Sequence, residues 1–204
     1  MIKKTTSLRL AIFGGSFDPI HYGHLICAMD CLEQISLNKI IFMPCARSPF
    51  KKQNPVASAL QRLEMIQLAI QPFKNFEVSS FEVQSPAPSY SIRTVQEFHK
   101  LYPHAELFWI IGSDQVPGLP RWKDYAELIQ IVKFIVVSRS NYYPYEKRDY
   151  LVPLPKIRYV DISSTEIRER VKKDLPIFHL LPQAVSQYIK ENSIYIPNRT
   201  VHEK

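Results

Sequence analysis

Residues 14–24 read Gly-Gly-Ser-Phe-Asp-Pro-Ile-His-Tyr-Gly-His. Gly14 and Gly15 follow an apolar run of strand length, and adjacent glycines there let the backbone turn and bring its NH groups close to a phosphate. A helical pattern begins at the histidines and aims the positive end of its dipole at the same place. His21 and His24 are three apart, which puts both on one helix face. Gly23 between them leaves room for a flat or bulky group against the helix backbone. Two histidines at this spacing are either surface or capping residues or an anion-binding pair, and the order strand, double glycine, proline, helix start favours the anion. The segment is not a P-loop, since no Lys-Ser or Lys-Thr pair follows the glycines, and it lacks G-x-G-x-x-G. No further Cys or His has zinc-partner spacing, so no metal ligand is assigned.

A second constellation lies at residues 161–170, Asp-Ile-Ser-Ser-Thr-Glu-Ile-Arg-Glu-Arg. Ser163 with Glu166 three later forms a capping box that opens a helix. The cap does not account for Arg168, a cation near a helix N-terminus, where the macrodipole opposes it by about 0.3–1 kcal/mol. A bound anion reverses that penalty, held by helix NH groups, the Ser163 and Ser164 hydroxyls and the guanidinium. Two anion sites at strand ends are what a triphosphate spanning two loops requires. Asp114, two residues beyond Gly112, is either a turn residue or an acceptor for ribose hydroxyls. Trp122, between Arg121 and Lys123, is either half-buried packing or a stacking face for an electron-poor pyridinium ring.

The elements that must position these groups are legible as period and run length. Strands are expected over 8–13, 39–43, 76–83, 107–111, 134–138 and 157–160, and helices over 21–34, 57–70, 91–101, 125–130, 164–172 and 182–191. Near-continuous Ile, Val and Phe strands alternating with amphipathic helices predict an α/β fold: a Rossmann-like, doubly wound parallel sheet with helices on both faces and a small C-terminal helical portion. Such sheets bind ligands at the carboxyl ends of their strands. No repeat or long polar linker divides the chain, so one domain is expected over residues 1–204, with its core at about 8–196.

Composition bounds the partners. The 204 residues carry a net charge of +7 but only five glycines and three cysteines. No apolar run approaches the roughly 18 residues that span a bilayer, and the apolar stretch at 8–13 is short and interrupted by Arg9, unlike a signal peptide. Unpaired cysteine spacing fits a reducing compartment, and a cytoplasmic enzyme is expected. The positive surplus calls for an anionic partner. Without an arginine-rich tail or an aromatic-interleaved basic stripe, neither nucleic acid nor membrane is expected; oligomeric state is left open.

The H-x-G-H element at 21–24 and the I-S-S-T-x-I-R element at 162–168 together resemble the nucleotidyltransferase superfamily that shares its fold and "HIGH" motif with class I aminoacyl-tRNA synthetases. Within it the resemblance is to bacterial nicotinate-nucleotide adenylyltransferases, over roughly 8–196. Gly112-x-Asp114 and Leu119-x-x-Trp122 resemble further family elements. Residues 88–94 resemble the pocket-lining segment P-S-Y-T-x-D-T, with Arg93 in place of the acid, and residues 44–51 resemble a loop ending P-P-H-K, with Ser48 in place of the first proline and Phe50 in place of the histidine.

The resemblance implies adenylyl transfer from ATP to nicotinate mononucleotide, with His21, His24 and Arg168 as catalytic residues. It implies an ATP site of Gly14, Gly15, Ser16, Phe17, His21, Gly23, His24, Gly112, Asp114, Ile162, Ser163, Ser164 and Arg168. The mononucleotide site would be Gly15, Ser16, Lys51, Tyr90, Ser91, Thr94 and Trp122. Mg²⁺ would arrive with ATP. Nicotinamide mononucleotide or phosphopantetheine as acceptor are the alternatives, and a non-catalytic nucleotide sensor on the same fold is the reading from another class.

Overall fold

A computed structural model describes residues 7–50, 53–138, 146–154 and 156–196. Six strands, β1 (Arg9–Gly15), β2 (Lys39–Pro44), β3 (Phe76–Val78), β4 (Glu106–Gly112), β5 (Val132–Val137) and β6 (Leu151–Pro153), form one sheet in the order β3-β2-β1-β4-β5-β6. All five pairings are parallel. The chain winds outward from β1 to β3, returns to the centre and winds outward again, so the direction of winding reverses between β1 and β4. That junction opens a crevice at the strand ends.

The alternation of side chains along each strand feeds two apolar layers. Ala11, Phe42, Phe108, Ile110 and Ile135 face one side, where they meet α1 (Tyr22–Gln34), α2 (Ala59–Ile70) and the C-terminal α6 (Ser164–Lys172) and α7 (Gln183–Glu191). Leu10, Ile12, Ile41, Met43, Trp109, Ile111 and Phe134 face the other, under α4 (Ser91–Leu101) and α5 (Tyr125–Ile131). A parallel sheet buried on both faces has no polar side, which is why its strands read as almost unbroken apolar runs. Among the described residues no helix is long and apolar enough to cross a membrane.

Two expectations change, and one loop gains a form. The run at 76–83 is a strand only to Val78; Phe81–Gln84 is one helical turn, α3, which turns Glu82 inward. The run at 157–160 is not a strand, and the sixth strand is Leu151–Pro153, bonded to β5. Residues 157–160 are held by α1: the buried Asp30 carboxylate accepts from the Arg158 NH at 2.8 Å and pairs with its guanidinium at 2.6 Å. The loop after β4 is a 3₁₀ segment, Ser113–Arg121, which is compatible with Pro117 and Pro120 because its turns are short and irregular.

Candidate active site

β1 delivers the Gly14–His24 segment to the crevice. All five glycines have negative φ, so a left-handed turn is not what requires them. Space is. A Cβ on Gly14 would stand 2.6 Å from the Trp109 ring, one on Gly15 3.0 Å from the Phe17 ring, and one on Gly23 3.0 Å from the His21 ring. The flat group accommodated by Gly23 is therefore the imidazole of His21. Gly112 is equally confined, its Cβ position lying 2.3 Å from Asp114 Oδ1.

His21 is buried at 6% exposure and stacks on His24, ring centroids 3.8 Å apart and planes at 29°. The edge-on ring of Phe17, 5.0 Å away, braces His24 from the side. His24 Nδ1 accepts from the His21 backbone NH at 3.3 Å, which assigns the proton of a neutral His24 to Nε2. The N-terminus of α6 comes to the same spot: the Ile162 carbonyl is 3.8 Å from the Cβ position of Gly23, and the Ser164 hydroxyl donates to the Pro19 carbonyl at 2.8 Å. Two helix N-termini thus meet at the histidine pair and add their partial positive charges there.

Ser163 caps α6, its hydroxyl accepting from the Glu166 NH at 3.1 Å. Arg168 donates to the Asp18 carbonyl at 2.7 Å, lies 3.8 Å from the Asp18 carboxylate, and reaches Thr165 Oγ1 at 3.2 Å. Its position near a helix N-terminus therefore does not require a ligand, since Asp18 already supplies the compensating charge.

Beside this cluster, a cavity of about 610 Å³ opens where β1 and β4 part. Gly14, Gly15, Ser16, Tyr90, Ser91, Asp114 and Trp122 all line it. Thr94 does not: it is fully buried, and its hydroxyl donates to Glu82 Oε1 at 2.7 Å, so it acts behind the cavity wall. Lys51 lies outside the described residues. Trp122 is half-buried, its plane set by edge-to-face contacts with Trp109 and Phe134 at 6.4 and 5.9 Å. The packing alternative is realised at this ring, which also lines the cavity.

A cytidylyltransferase-like family model matches residues 12–170. The probable nicotinate-nucleotide adenylyltransferase of Methylacidiphilum infernorum is 98% identical over the full length of both chains. The chain belongs to the nicotinate-nucleotide adenylyltransferase family. The nicotinate-nucleotide adenylyltransferase of Bacillus subtilis is 37% identical, over 92% of this chain and 98% of its own. Among solved structures, a Plasmodium falciparum nicotinic acid mononucleotide adenylyltransferase complexed with NaAD superimposes with a TM-score of 0.72 at 20% identity, covering 92% of this chain and 97% of its own. That likeness is one of fold.

Set in this family's fold, three residues without a sequence assignment prove to shape the site. Glu82, 5% exposed, lines the cavity; burial pushes its pKa up, against the lowering effect of hydrogen bonds from Thr94 and Ser89. Arg62 on α2 is fully buried and donates to three carbonyls, Ser16 and Cys45 at 2.7 Å each and Ala57 at 3.3 Å. It fastens the loops after β1 and β2 to α2 and places a cation beneath Ser16. Asp18 accepts from the Val56 and Ala57 NH groups at 2.8 and 3.0 Å and from the Tyr195 hydroxyl at 2.8 Å. The sequence signal for Glu82 was an acid inside an apolar run, and for Asp18 its place between Gly15 and His21.

Proposed function

We infer that this chain transfers the adenylyl group of ATP to nicotinate mononucleotide, releasing pyrophosphate and forming nicotinic acid adenine dinucleotide, a step in building NAD. The observation that carries the reading is the stacked His21–His24 pair at two converging helix N-termini, opening beside a cavity walled by Trp122, Tyr90 and Ser16. The full-length relatives named for the same reaction support it.

The 5′-phosphate oxygen of the mononucleotide attacks the α-phosphorus of ATP in line. A new P–O bond forms, the bond to the α,β-bridging oxygen breaks, and pyrophosphate leaves. The nucleophile is already anionic near neutral pH, so no general base and no covalent intermediate is required, and catalysis is positioning plus charge stabilisation. His21 and His24 hold the ATP phosphates, with the Nε2 proton of His24 donated to charge that grows in the transition state. Ser163, Ser164 and the α6 N-terminus hold the β and γ phosphates, with Arg168 fixing that helix to the first loop through Asp18 and adding positive charge. Ser16 and the Gly15 backbone, above the buried Arg62 guanidinium, position the attacking phosphate. Mg²⁺ enters with ATP. In this reading the +7 surplus serves two small phosphorylated substrates in the cytoplasm and not a nucleic acid.

Pyrophosphate release measured side by side with nicotinate mononucleotide, nicotinamide mononucleotide and phosphopantetheine tests the reading. Nicotinate mononucleotide is expected to give the highest kcat/KM. His24→Ala should lower kcat at least about 100-fold, on the order of 2.7 kcal/mol in the barrier, with the circular dichroism spectrum unchanged. ATP binding without turnover on any acceptor would establish the sensor instead, and a near-normal rate in His24→Ala would remove the histidine from the mechanism.

A further inference from the structure

Phe50 has no partner in the family loop that the sequence resembles, where histidine is usual, and its ring is the unexplained feature of the cavity. It is 59% exposed and lines the same cavity as Trp122. The two ring centroids lie 6.2 Å apart with planes at 31°. Trp122 is held from the core by edge-to-face contacts with Trp109 and Phe134. The indole is thus braced from the core, and Phe50 is the neighbouring ring on the cavity side.

A flat ring held between two others needs them about 7 Å apart, twice the roughly 3.5 Å contact distance of stacked carbons. The observed pair is short of that by less than about 1 Å and by a modest tilt. An exposed loop residue can supply both by a side-chain rotation.

We propose that Phe50 is the second stacking face for the pyridinium ring of the mononucleotide, which enters between Phe50 and Trp122. The proposal rests on the adenylyltransferase reading and adds a specificity-determining residue to it. The chemistry favours pyridinium over adenine as the occupant. Pyridinium is cationic and electron-poor, and two electron-rich π faces attract it from both sides. The buried acid Glu82 lines the same cavity, a placement that suits the ring cation, while Arg121 and Lys123, which also line it, suit the carboxylate and phosphate of the mononucleotide.

The test uses Phe50→Ala, Phe50→Leu and Phe50→Tyr in the full chain, with thermal unfolding as a check that each folds. Two measurements are made: steady-state KM for nicotinate mononucleotide and for ATP, and equilibrium titration of tryptophan fluorescence with nicotinate mononucleotide and with the simple cation 1-methylnicotinamide. Stacking on one face of an aromatic contributes roughly 5- to 160-fold in affinity. Phe50→Ala and Phe50→Leu should therefore weaken both pyridinium ligands by about fivefold or more while KM for ATP stays within about twofold, and Phe50→Tyr should restore binding. Leucine binding as well as phenylalanine would reduce the residue to an apolar cover and overturn the proposal. So would equal losses for ATP and the mononucleotide, or wild-type protein that fails to bind either pyridinium. Wild-type protein that binds pyridinium through Phe50 yet releases no pyrophosphate would refute the adenylyltransferase reading and leave the stacking role established.

Discussion

Glu82 carries a pH signature for a single side chain. Its carboxyl is buried, which raises its pKa from the ordinary value, and the Thr94 and Ser89 hydroxyls offset that only in part. The sign follows. A raised folded-state value means that Glu82 favours the fold fully below its ordinary pKa, and that this contribution is lost as pH rises through the raised value. Glu82→Gln keeps an acceptor for the Thr94 hydroxyl and removes the charge. The variant should be more stable than the wild type at about pH 8, with the gap closing as pH falls toward about 4. Urea unfolding across that range checks it, and a gap that does not change with pH would contradict the assignment. The chemistry-bearing residue types at 14–24 and 161–168 were plain in the sequence because their order carries meaning. Glu82 and Arg62 were not, because a buried charge looks like any other polar residue on an amphipathic element until its partners are known.

At the scale of elements, β1 does more than end in a loop. Gly14 pairs with Met43 of β2 and presses its bare Cα against Trp109 of β4, whose ring in turn meets Trp122. Gly14→Ala must push that indole aside, and overpacking of this kind costs about 1–3 kcal/mol. For a chain of this size that lowers Tm by roughly 2–12 °C. Because the displaced ring supports Trp122, KM for the mononucleotide should rise alongside. Calorimetry and steady-state kinetics on the one variant read both effects, and an unchanged Tm would mean the Gly14 contact is slack. Element types were legible wherever a run was long and regular, as in α4 and β4. The errors fell on short apolar runs. Residues 157–160 have the composition of a strand, but with Arg158 tied to Asp30 and Glu33 they lie along α1, and β6 takes the sheet edge. Three-residue strands such as β3 and β6 are set by which edge is vacant, and periodicity does not encode that.

At the scale of the whole molecule, Asp18 gathers parts of the chain that are far apart. It binds the loop before α2, Arg168 of α6 and Tyr195 beyond α7, the last 177 residues away. Burial, and then the neighbouring Asp18 carboxylate, push the Tyr195 hydroxyl well above its ordinary pKa, so it remains a hydrogen-bond donor. Tyr195→Phe removes one bond to a buried carboxylate, a loss of about 1.5–3 kcal/mol, visible as a lower urea midpoint. Because Asp18 also anchors Arg168, KM for ATP should rise more than KM for the mononucleotide; losses of equal size would show that Tyr195 has no link to the triphosphate end. By itself the sequence determined the alternation of strands and helices and marked out the segments at 14–24 and 161–170, because period, capping and glycine placement are local properties. The tertiary structure alone decided that glycine serves here for close contact and not for turning, that Arg168 answers to Asp18, that Thr94 works through Glu82, and that Phe50 faces Trp122. Each of these depends on which distant atoms share a few ångströms, a quantity that no local pattern contains.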